Sequence, residues 1–177
     1  EAKYGDRMSS VLDITYARPQ KAEASVQASL LGANIYAGLG NRKISLSQGL
    51  RYKTNQYMLG SLETKGEYSP SFLDYQAYLS WTPSEKWTFD LIGYISRNDY
   101  NFKPKDRETN FGTLEDVKSF KVYFDGKEED LFRTLYGTFK ITRKWERKHA
   151  LSLSASAFNT KERETYDIQG QYWLNET

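Results

Sequence analysis

Residues 150–158 read ALSLSASAF, so an extended chain puts Leu151, Leu153, Ala155 and Ala157 on one face and Ser152, Ser154 and Ser156 on the other. The same period of two recurs along the chain. ASVQASLL (24–31) sets Val26, Ala28 and Leu30 against Ser25, Gln27 and Ser29, and NIYAGLG (34–40) follows an expected Gly-Ala turn. KISLSQGLRY (43–52) groups Ile44, Leu46, Leu50 and Tyr52 opposite Ser45, Ser47, Gly49 and Arg51. LDYQAYLSW (73–81), WTFDLIGYISR (87–97) and LFRTLYGTFKIT (131–142) alternate in the same way. The opening stretch makes a seventh strand, and TYDIQGQYWL (165–174) is expected to start an eighth. No segment sustains a 3.6-residue period, which predicts an all-β chain folded as an antiparallel up-and-down meander.

The connections alternate in length. Short turns are expected at Asn41–Lys43, Thr82–Lys86 and Glu146–Lys148, and long charged loops at Ser61–Ser71 and Lys103–Asp130. Short turns at one end and long loops at the other describe a transmembrane β-barrel. Trp81, Trp87 and Trp145 fall beside the short turns, where they would form an aromatic girdle at a membrane interface. The apolar faces run for roughly 9–11 residues, the length that a tilted strand needs to cross a bilayer. The charges within strands, Arg51, Asp74, Asp90 and Lys140, all fall on the polar face by the alternation. That face is rich in Ser, Thr, Gly and Gln rather than in the Lys and Glu of a solvent face.

Composition narrows the picture further. Aromatic residues make up 15% of the 177 positions although hydrophobic residues reach only 38%, a pairing that suits half-buried strands and argues against disorder. The 25 basic and 23 acidic residues leave a net charge of +2, with no dense basic block, so nothing points to nucleic acid. The absence of cysteine excludes disulfides, thiol catalysis and cysteine metal sites. No apolar run approaches the roughly 18 residues of a membrane helix, which leaves membrane strands untouched. The start, EAKYGDRMSS, carries neither an initiating Met nor a signal peptide, as expected of a mature or excised piece.

KYGDRMSSVLDITYARP (3–19) resembles the end of the plug domain in TonB-dependent outer-membrane receptors, in which a Tyr-Gly pair and a short polar stretch precede a strand leading into the barrel. Here those parts are Tyr4-Gly5, Asp6–Ser10 and VLDITYA. ASVQASLLGANIYAGLGNRKISLSQGLRYKT resembles the first three barrel strands of Bacteroidetes-type receptors. FLDYQAYLSWTPSEKW, KSFKVYFDGKEEDLFRT and KERETYDIQGQYWLNE resemble later parts of the same group. The resemblance implies residues 1–20 as the end of the plug and its linker, and 21–177 as the N-terminal portion of the barrel, about seven or eight strands of it. The signal, the TonB-contacting segment, most of the plug and the remaining strands of a barrel of about 22 are missing from the match.

The resemblance further implies a place in the bacterial outer membrane and energised import of a scarce nutrient, a siderophore, vitamin or glycan. The partners are then outer-membrane lipid, an unidentified small-molecule ligand, and the TonB complex acting through parts outside this chain. The long loops 61–71 and 103–130 would face outside. Arg51, Lys53, Asp90, Tyr94 and Arg97 would line the ligand path or hold the plug, the second role being favoured for each. The same resemblance offers Arg7, in YGDR, as a plug-to-barrel contact.

No residue pattern marks an enzyme, a cofactor or a metal centre. Asp125, Glu128, Glu129 and Asp130 do not follow the EF-hand spacing and read as a solvated loop. His149 has no nucleophile paired with it in sequence, and Glu162 and Glu164 lie among Lys161 and Arg163 as loop charge. Two rival readings stay open: a small self-contained barrel with a structural or surface-binding role, and a soluble barrel holding an apolar ligand. The last predicts Leu, Phe and Trp turned inward.

Overall fold

The computed structural model describes residues 13–60, 66–113, 117–145 and 149–176. Within them the strands are β1 (Glu23–Ser29), β2 (Gly32–Gly40), β3 (Ile44–Thr54), β4 (Gly66–Tyr68), β5 (Ser71–Ser84), β6 (Trp87–Pro104), β7 (Arg107–Gly112), β8 (Val117–Trp145) and β9 (His149–Glu176), with one short helix, α1 (Gln56–Gly60). All pairings are antiparallel, and the strands belong to a single sheet that does not close. The main meander runs β1-β2-β3-β5-β6-β8-β9. Two short strands lengthen it: β4 continues the line of β5 beside β6, and β7 continues that of β6 beside β8.

The seven expected strands all form, in the expected order. The eighth does not exist as a separate strand, because residues 165–174 continue β9. The pairing of β8 with β9 runs without a register shift from Trp145 opposite His149 to Lys118 opposite Glu176. At about 3.3 Å per residue, the 29 residues of β8 extend some 95 Å. The expected long loop 103–130 is therefore mostly strand, and loop 61–71 contains β4, with residues 61–65 outside the described residues. The first turn is Leu30-Leu31 rather than Gly-Ala. The Ser29 hydroxyl accepts a hydrogen bond from the Leu31 amide at 3.2 Å and donates to the Gly32 carbonyl at 3.3 Å, which closes the turn one step early. The strand expected over VLDITYA is also absent from residues 13–17, which are irregular, and 11–12 lie outside the described residues. The expected turn at 146–148 lies outside them too.

Register sorts the side chains into two unlike faces. Leu46, Leu79, Leu91, Phe139 and Ala155 form one cross-strand row, and Ile44, Trp81, Phe89, Ile141 and Leu153 form the next. These rows belong to an apolar belt whose members are open: Val26 and Leu153 are both 72% exposed. The opposite face carries Ser45, Ser80, Asp90 and Lys140 in a row, and its small hydroxyls are the hidden groups, Ser45 at 3% and Ser80 at 2%. Tyr78 is the one buried hydrophobic side chain among the described residues. The accessible surface is 14442 Å², against about 8,900 Å² for a compact monomer of this mass. Among the described residues the chain is a sheet without a core of its own.

The belt ends where polarity reverses. Tyr52, Leu73, Arg97, Arg133 and Lys161 make the terminal row. Beyond it Phe120, Val122, Phe124, Ile168, Tyr172 and Leu174 lie on the face that carries Thr138 and Ser156 nearer the belt. In this far region Gly126 has φ +96, and a Cβ there would overlap the Asp167 carbonyl oxygen across the ladder. Backbone strain of this kind costs about 1–3 kcal/mol before the overlap is counted. Gly126→Ala is expected to speed amide hydrogen exchange at residues 164–172 at least tenfold while leaving 151–158 unchanged. Equal protection in both stretches would contradict the assignment.

Candidate functional site

The polar face is crossed by the irregular segment 13–20, held by side chains. Arg18 donates from Nε to the Tyr78 hydroxyl at 3.1 Å and from Nη2 to Asp90 Oδ1 at 3.0 Å. Tyr78 itself donates to the same carboxylate oxygen at 2.8 Å. Tyr16 packs its ring on Tyr78, with centroids 5.0 Å apart, and Gln76 donates its side-chain amide to the Tyr16 hydroxyl. Pro19 is buried, and its carbonyl lies so close to Gly40 that any Cβ at that position would strike it. A hollow of about 590 Å³ beside this crossing is lined by Asp13, Tyr16, Arg18, Tyr78, Asp90 and Lys140.

A second polar cluster lies further along the same face. Arg51 sits opposite Asp74 in the register and donates from Nε at 2.8 Å and from Nη2 at 2.5 Å, both to Oδ2. Tyr94 donates to the other carboxylate oxygen at 3.0 Å. Asp74 thus accepts from two strands, and its side chain is only 11% exposed. Each charge-assisted bond contributes about 1.5–3 kcal/mol where solvent is excluded, and less at the half-exposed Arg51. Asn34, Tyr36, Arg51, Asp74, Gln76 and Tyr94 surround a hollow of about 300 Å³.

Of the five polar candidates, Arg51, Asp90 and Tyr94 belong to these two clusters, and Lys53 lies exposed on the same face at the end of β3. Arg97 is on the opposite face. It shares parity with Leu91 and Ile95, faces Leu73 and Arg133, and forks onto Asp99 at 2.7 and 2.9 Å. Asp74 and Asp90 were legible as in-strand charges, but their partners were not. Arg18 directly follows the stretch VLDITYA, which reads as strand, and Tyr78 reads as an ordinary strand tyrosine. Only register and the course of segment 13–20 join them. Arg7 lies outside the described residues.

The three tryptophans gather at the turn end of the belt. Trp81 stacks on Phe89 at 5.3 Å and Trp87 stacks on Phe89 at 6.0 Å, while the Arg143 guanidinium lies over Trp87 at 5.0 Å and over Trp145 at 4.7 Å. Such cation–π contacts contribute about 0.5–1 kcal/mol at exposed sites. The four acidic residues of 123–130 are divided by alternation, Asp125 and Glu129 to one face and Glu128 and Asp130 to the other. Glu162 and Glu164 are strand residues rather than loop charge, and they share the face of Glu128 and Asp130. His149 opens β9 opposite Trp145.

Among models of protein families, curated proteins and solved structures, the chain finds no match.

Two outcomes follow from this geometry. Arg18→Ala or Asp90→Asn should free segment 13–20, so that limited proteolysis cuts it at least fivefold faster while the far-UV spectrum keeps its β signature. Unchanged cleavage would show that Arg18 does not hold the segment. The Glu164 carboxyl is raised from its ordinary pKa, first by its hydrogen bond with Glu162 and then by the nearby charges of Glu162 and Asp130. The folded hairpin keeps this proton to higher pH than the unfolded chain, so it loses stability as pH rises through the interval between the two values. A side-chain NMR titration should find the Glu164 midpoint above the ordinary glutamate range and returning towards it in Glu162→Gln.

Proposed function

We propose that the chain is the N-terminal portion of the barrel of a TonB-dependent receptor in a bacterial outer membrane, with residues 1–20 ending its plug. The complete protein imports a scarce nutrient, a siderophore, vitamin or glycan, with force from the TonB complex reaching it through segments outside this chain. One observation carries the reading: the sheet exposes its Leu, Ile, Phe and Trp in rows on one side, crossed by a single row of Ala and Gly with Gln48, and buries Ser, Thr and Asp on the other side. A soluble barrel around an apolar ligand requires the opposite arrangement. The aromatic cluster with Arg143 at one end of the belt suits a lipid–water boundary, at which amphipathic rings and long cations gather.

The polar clusters fit the same picture. Arg18, Tyr16 and Pro19 lie against the face that would turn to the lumen, as a plug-to-barrel linker should. Asp90 then serves the linker rather than a ligand, and Arg51, Asp74 and Tyr94 brace neighbouring strands. The free edge of β1 has 7 residues, whereas β9 runs His149–Lys161 along the belt, so pairing them with each other would leave about half of that stretch unmatched. In lipid, unpaired backbone groups cost several kcal/mol each. Completion by further strands satisfies them and argues against a small self-contained barrel.

Refolding the 177-residue chain with and without detergent micelles tests the membrane reading. The β spectrum and a monodisperse elution should require detergent. A stable, monodisperse sheet without detergent would overturn the proposal. Ala155→Arg, in the middle rows of the belt with Leu91 and Phe139, should weaken detergent-dependent folding by about 2–4 kcal/mol, whereas Ser154→Arg, one residue away on the polar face, should cost far less. The import reading rests on a separate measurement: removing the intact gene should abolish energised uptake of one nutrient, and unimpaired uptake across all three classes would refute it.

A further inference from the structure

The end of the belt away from the tryptophans is cationic. Arg97, Arg133 and Lys161 are consecutive members of one cross-strand row on the belt face, and Arg163 follows in the next row beyond. All four are exposed. Adjacent strands lie about 4.8 Å apart, so the three row members span roughly 10 Å. Asp99, in the same pair of rows, is engaged by Arg97, and its pKa is lowered, first by that hydrogen bond and also by the charges of Arg97 and Arg133. One carboxylate thus faces four cations. Immediately below the row, on the same face, are Ile95 and Leu135, followed, past Gly93 and Gly137, by Leu91 and Phe139.

We propose that Arg97, Arg133, Lys161 and Arg163 form a docking site for the phosphate groups of a lipid headgroup, with its acyl chains lying along Ile95, Leu135, Leu91 and Phe139. The inference rests on the membrane reading above. The partner must combine anionic groups with hydrocarbon, because the cations border an apolar surface instead of a hollow. A free phosphate would use only the upper half of this surface. The planar fork of Arg133 suits a pair of phosphate oxygens, while Arg97, its fork held by Asp99, adds charge beside it. The opposite face at this height carries Asp130, Glu162 and Glu164 on β8 and β9, while its cations, Lys53 and Arg51, stand apart on β3, so on β8 and β9 positive charge here faces only the belt side.

The test uses the full chain and two vesicle preparations: phosphatidylcholine alone, and phosphatidylcholine containing lipid A, a diphosphorylated lipid. Insertion is followed by flotation, and lipid A retention by mass spectrometry after extraction in mild detergent. Wild type should insert into both vesicles and retain lipid A. Each of Arg133→Gln and Lys161→Gln should weaken retention about fivefold, as expected for a basic residue at an anionic surface. Lys144→Gln, on the polar face, should leave it unchanged. Insertion with equal retention by wild type and an Arg133→Gln/Lys161→Gln double variant would overturn the docking site and leave the membrane reading standing. Failure to insert into either vesicle would overturn both.

Discussion

An antiparallel backbone ladder, shifted only between Trp81 and Ser84 among the described residues, holds this chain together, because very little else can. Hydrophobic burial normally supplies the main favourable term in folding, but here the apolar side chains are left outside. Order comes from antiparallel pairing carried strand to strand in fixed register, reinforced by cross-strand contacts such as Arg51 with Asp74 and Trp81 with Phe89. A slip of one residue would exchange the two faces along an entire strand. Register is therefore what keeps the belt and the polar face distinct, and both depend on it.

The two faces use that order differently. On the belt face, contact is generic: side chains of similar character form rows, and the surroundings complete them. On the polar face, contact is specific. Arg18 reaches Tyr78 on β5 and Asp90 on β6 from a segment with no place in the sheet, and Gly40 leaves the space in which Pro19 lies. The chain thus shields buried hydroxyls and carboxylates with its own irregular segment, while its hydrocarbon remains uncovered.

Period-two patterning made the seven main strands legible in the sequence, since in each of them one face is consistently apolar. It missed the far half of β8, which read as loop, and set the far half of β9 apart as an eighth strand, because the polarity of the faces reverses there. Phe120, Val122 and Phe124 do alternate with Ser119, Lys121, Tyr123 and Asp125, but the surrounding charges make the stretch read as loop. Arg97 was assigned to the polar group by its charge, although counting from Leu91 and Ile95 puts it on the belt side. Arg51, Asp90 and Tyr94 were legible as polar-face residues. Their partnerships were not, because Asp74 and Arg18 meet them only through strand register and the path of a non-strand segment.

The length of β8 and β9 has a mechanical consequence. From Arg133 to Lys118 the ribbon continues for about 50 Å past the belt, at the usual rise per strand residue. Such a projection acts as a lever. A tilt of a few degrees near the belt becomes a sweep of several ångströms at the tip, and a load applied at the tip returns to the base multiplied by the same arm. Whatever touches Tyr172 or Trp173 is therefore mechanically coupled to the strands that carry Arg133 and Lys161.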